Sequence, residues 1–218
     1  MSPAASSALT LAAGTTLVCA LGVLWLSSPR GVIRVVAAQG ASLGIVAGIL
    51  GVSERDAALT ATAAVVLALK AVVVPTLLAR SGGAGPGARE SRPLVNVPAS
   101  LVAAAGLLVL AFGASRGVVR LAGSTTGRLV PLGIATMLIG LFVMVSRRRP
   151  LSQMAGLLVL DNGIALTAFL CTAGVPFLVE LGVSLDLLLG VVVLLAVARH
   201  LDGGLGELHL DELRELRD

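Results

Sequence analysis

Seven predominantly apolar runs of about twenty residues recur along the chain, the length an α-helix needs to cross the hydrocarbon core of a bilayer. They lie near residues 5–27, 31–52, 57–80, 97–115, 129–146, 151–173 and 177–199. In hydrocarbon a backbone finds no water, so each run must satisfy its own N–H and C=O groups as a helix. Composition agrees: 56% of the residues are hydrophobic and only 13% charged, too few polar groups to cover a water-soluble domain of 218 residues. The expected fold is all-α, a polytopic transmembrane bundle of about seven helices. The first run has no basic stretch before it and reaches a full span, so a retained helix is expected there rather than a secretory leader.

Between the third and fourth runs, "RSGGAGPGARESRP" mixes Gly, Pro, Ser and Arg without periodicity and reads as a connection. Residues 81–96 thus divide a three-helix segment, 1–80, from a four-helix segment, 97–200. The stretch "SRGVVRLAGSTTGR" after the fourth run either extends it or lies at the membrane interface. Residues 201–218 break at paired glycines and resume with Leu208, Leu210, Leu213 and Leu216 among acids and arginines. This tail reads as an amphipathic helix on the membrane surface, against a soluble partner, or simply solvated.

The net charge of +4 comes from arginines placed between apolar runs, not along one polar face, so it marks topology and not nucleic-acid binding. Arg30, Arg34, Arg80, Arg89, Arg92 and Arg147 to Arg149 fall on one side of a seven-span chain; Arg55, Arg116, Arg120 and Arg128 fall on the other. The positive-inside rule then expects the N-terminus outside and the C-terminus in the cytoplasm of a bacterial inner membrane. The cluster at 116–128 runs against that assignment.

Four charges fall within the apolar runs: Lys70, Asp161, Glu180 and Asp186. An ionised side chain at the centre of a membrane helix costs about 2.5–3.5 kcal/mol on insertion scales, so such residues point to function. Lys70 is the only lysine of the chain and lies five residues before Pro75, which removes a helical donor and crowds the carbonyl of Ala71. The alternatives are a lysine that snorkels to the interface and one that serves an ion or proton relay. Asp161, followed by Asn162, is too short to snorkel. Glu180 reads equally well as interfacial, and Asp186 lies deeper, six residues on and on a different side of the helix. Gln39 is expected to bridge helices, Arg34 to snorkel, and His200 to mark the cytoplasmic end of the seventh run. Cys19 and Cys171 lack metal or disulfide spacing. No nucleotide-binding glycine loop, metalloprotease motif or nucleophile elbow is present, so neither a cofactor nor catalysis is expected of this chain.

From residue 151 onward, "LDNGIAL" and "GVPFLVELGVSLDLL", with the "LREL" of the tail and the earlier "ALKAVVVP", resemble hydrogenase-4 component E, HyfE. The last three runs, 128–200, are also similar to the K subunit of complex I, whose intramembrane glutamates lie on the proton path. Asp186 with Gly190 resembles the second of those sites. At the first, the family glutamate is replaced by Leu158, and Asp161 stands at a neighbouring helical position.

The resemblance implies a non-catalytic membrane subunit of a complex I-related assembly, such as the membrane arm of a group 4 [NiFe] hydrogenase or formate hydrogenlyase. Antiporter-like subunits would be its partners, and Lys70, Asp161, Glu180 and Asp186 its protonatable stations. The competing expectations are a scaffold of that arm that carries no protons, and a Mrp-type cation/proton antiporter subunit.

Overall fold

Capping side chains and prolines start the helices where the apolar runs begin. The computed structural model describes residues 1–80, 95–122, 126–148 and 150–172, all within one unit, Met1–Gly182. Helix α1 (Pro3–Trp25) opens on Ser2, whose side chain accepts from the Ala5 N–H, and α2 (Pro29–Glu54) opens on a proline at its first turn. A two-residue link follows: Arg55 takes the left-handed conformation (φ 56°) and Asp56 caps α3 (Ala57–Ala68) by accepting from Ala58 and Leu59. Arg55 and Asp56 thus build a tight helical hairpin. Helix α3 runs through a π-turn, Leu69–Val73, into α4 (Val74–Arg80). Asn96 caps α5 (Val97–Ala114). Helices α6 (Arg116–Ala122), α7 (Val130–Ser146, entered through a 3-10 turn at Gly127–Leu129) and α8 (Pro150–Thr172) complete the described chain.

The fold is all-α, with no strand among the described residues. Six segments there are long and apolar enough to cross a membrane: Pro3–Trp25, Pro29–Glu54, Ala57–Ala79, Val97–Ala114, Gly127–Ser146 and Leu151–Cys171. They coincide with the first six expected runs. The seventh run, at 177–199, and the tail, 201–218, lie outside the described residues. After the fourth run, Arg116–Ala122 form the short helix α6, divided from α5 at Ser115, whose ψ of −7° departs from helical geometry.

Helices α1 and α2, α2 and α3, and α7 and α8 pack as antiparallel neighbours; α8 lies on α2, and α5 rests on α7 at the periphery. The α7–α8 contact is set by glycines: a Cβ on Gly133, Gly140, Gly156 or Gly163 would collide with the facing helix at Thr167, Leu160, Met144 or Met137. Close backbone approach of this kind replaces the hydrophobic drive that lipid cannot supply. The polarity is that of a membrane protein. Leu11, Val18, Val102, Val109 and Val145 are 65–74% exposed, whereas Thr16, Gln39, Ser42, Lys70, Asp161 and Asn162 are at most 5% exposed. An apolar exterior around polar groups is stable only with lipid outside, and the protein is membrane-embedded.

Candidate functional site

Asp161 lies eleven residues from each end of α8, about 16 Å along the axis from either terminus. Its carboxylate Oδ2 is 2.7 Å from Lys70 Nζ, and the two side chains are 7% and 4% exposed. Lys70 therefore points inward to an acid instead of reaching for the interface. Two ions taken out of water are tolerated only in close, hydrogen-bonded contact, because a lone charge there is far costlier than the pair.

The backbone that carries Lys70 is built for this position. Pro75 offers no N–H, and the turn before it widens to i→i+5 bonding, with Val74 N–H donating to Leu69 O. The Thr76 hydroxyl lies 2.8 Å from the carbonyls of both Val72 and Val73, close to the disturbed turn. The widened turn brings the Lys70 backbone against α2 at Gly40, where a Cβ would stand 2.5 Å from the Lys70 carbonyl oxygen. Gly40 is thus the residue that admits the turn.

Beside the ion pair, a hydrogen-bonded seam crosses three helices. Asn162 donates to Gln39 Oε1 (3.2 Å), and the Gln39 amide donates to the Thr16 carbonyl (3.0 Å). The Thr16 hydroxyl lies 3.0 Å from Ser42 Oγ, which donates to Ala12 O at 2.6 Å. Thr16, Gln39 and Ser42 sit near the middles of α1 and α2, at the depth of Asp161 in α8. These groups satisfy one another where no water competes, as buried polar groups must.

Of the eight candidate residues that the sequence offers, Lys70, Asp161, Asn162 and Gln39 meet here, and Pro75 shapes the Lys70 turn. Pro75 also faces Val32, Val36 and Leu158 across a small apolar gap. Glu180, Asp186 and His200 lie outside the described residues. Arg34 is exposed, near the start of α2.

Thr16 and Ser42 join the site without having stood out in the sequence; their signal is the spacing of Gln39 and Ser42, three apart on one face of α2. Arg147 is more than the topology marker its place in the sequence suggests: it is 4% exposed and its Nη2 donates to Leu24 O at 2.6 Å. It satisfies a carbonyl that the last turn of α1 leaves open. Among the described residues no three His, Cys, Asp or Glu side chains converge in a way that could hold a metal ion.

No family model matches the chain, and no solved structure matches it. It is similar to the uncharacterized protein Rv0085 of Mycobacterium tuberculosis (strain H37Rv), with 47% identity over 208 residues that cover 95% of this chain and 94% of the relative. Near-complete coverage at that identity makes the relation one of whole chains, and the protein belongs to the Rv0085 family.

Proposed function

We propose that this protein is a proton-translocating or coupling subunit in the membrane arm of a complex I-related assembly, of the group 4 [NiFe] hydrogenase or formate hydrogenlyase kind. The observation that carries the reading is the Lys70–Asp161 pair, 2.7 Å apart at mid-membrane depth and held by a π-turn. A charged pair there couples two protonation states. A proton that reaches the Asp161 carboxylate cancels the anion holding the Lys70 ammonium, which then turns to another carboxylate or releases its own proton. A guanidinium stays protonated throughout, so arginine would not serve. Glu180 and Asp186 are the further acidic stations in this reading. The chain itself is not catalytic; redox chemistry belongs to partner subunits, and antiporter-like subunits adjoin it. Its place is the bacterial inner membrane, N-terminus outside and C-terminus cytoplasmic.

The second reading is a scaffold of the same arm, favoured by the closure of the site: the pair is nearly inaccessible and its neighbours bond to one another. Proton uptake by inverted membrane vesicles containing the assembled complex separates the two. Asp161→Asn and Lys70→Met should each cut proton translocation at least tenfold with the complex still assembled. Full translocation in the double variant Lys70→Met/Asp161→Leu would establish the scaffold and end the relay reading.

A further inference from the structure

Arg116, Arg120 and Arg128 lie on the side of the membrane with fewer arginines, and their surroundings give them another role. Helix α5 ends at Ala114 and the next span opens at Gly127. All three guanidiniums therefore sit at one end of hydrocarbon-length segments, at the depth of lipid phosphates. An open groove of about 790 Å³ is lined by residues of α5, α6 and the start of α7. Val109, Phe112 and Pro131 line its hydrocarbon part, and Arg116, Arg120 and Arg128 line its end. The three arginines are exposed and form no ion pair among the described residues. Arg120 Nε donates to Arg116 O at 3.3 Å, which uses one of its five donors. Val109 is 74% exposed and Phe112 48%.

An apolar trough that ends in three guanidiniums is complementary to an amphiphile with an anionic head. We infer that this groove is a binding site for an anionic phospholipid, its phosphate forked by the arginines and an acyl chain along Val109 and Phe112. A zwitterionic lipid brings a cation that offsets the attraction, and inorganic phosphate leaves the apolar wall uncovered. The site does not depend on the proton-relay reading.

The test places the full chain in nanodiscs, with Trp25→Phe removing the only tryptophan and Phe112→Trp reporting on the groove. Brominated phosphatidylglycerol should quench the fluorescence of this single indole at a several-fold lower mole fraction than brominated phosphatidylcholine. Each of Arg116→Gln, Arg120→Gln and Arg128→Gln should lower that preference and the triple variant should abolish it, while Arg30→Gln/Arg34→Gln, at the other end of the bundle, leaves it unchanged. Equal quenching by the two lipids overturns the site. So does relief of quenching by inorganic phosphate as effective as by unbrominated phosphatidylglycerol, which would indicate a soluble-anion site. A triple arginine variant that keeps its lipid preference overturns it as well, and a lowered oligomeric state in that variant would make the groove an interface between copies. If the triple variant fails to fold, the single variants in the tryptophan background still decide the matter.

Discussion

At the scale of single residues, the Lys70–Asp161 contact separates the cost of a lone charge from the worth of the pair. Lys70→Met strands a carboxylate at the middle of α8 and should lower stability by about 3–5 kcal/mol, whereas adding Asp161→Leu should return most of that loss. Unfolding in mixed micelles by a denaturing detergent measures both. The Asn162–Gln39 bond is neutral and its worth smaller: Asn162→Leu and Gln39→Leu should couple by about 0.6 kcal/mol in a double-mutant cycle. Lys70 and Asp161 are each visible in the sequence because a charge in an apolar run has few innocent explanations. Their union is not, because they stand 91 residues apart and hydropathy carries no register between helices. Thr16 and Ser42 are inconspicuous for another reason: hydroxyls in membrane helices commonly bond to their own backbone, as Thr16 also does to Ala12 O. Arg147 is hidden because one of three consecutive arginines at a span end looks like its neighbours.

At the scale of elements, close approach decides where substitutions hurt. Gly40 meets the Lys70 backbone and Gly140 meets Leu160, whereas Gly14 and Gly106 have nothing within 4 Å of the place an added methyl group would take. Gly40→Ala should push α2 off the π-turn and lengthen the ion pair, lowering the midpoint of thermal unfolding by several degrees. Gly14→Ala should leave it unchanged or raise it, since alanine is favoured over glycine in a helix by about 1 kcal/mol. The Lys-then-Pro order in "ALKAVVVP" makes a disturbed helix legible from the sequence. That the disturbance takes the form of a π-turn seated on Gly40 depends on the facing helix, which local sequence does not encode.

At the scale of the whole molecule, helix type follows from run length alone, and the six spans among the described residues match the first six expected ones closely. Sidedness follows from the placement of the arginines, and cysteine labelling reads it. In a background without Cys19 and Cys171, Ser27→Cys in the α1–α2 link should be shielded from an impermeant maleimide in intact cells, and Glu54→Cys at the end of α2, beside the α2–α3 link, should react. The reverse pattern would mean that the arginines at 116–128 outweigh those at 147–149 in setting topology.

The long interval between Lys70 and its acid also bears on synthesis. A nascent chain delivers the third span, Ala57–Ala79, to the translocon well before α8 has been made, so the lysine enters lipid without its counter-ion, at a cost of about 2.5–3.5 kcal/mol. The neighbouring alanines, valines and leucines must carry the segment through that interval. Truncated chains that stop short of α8 should therefore be held back at insertion or cleared by membrane proteases, however apolar their first three helices are.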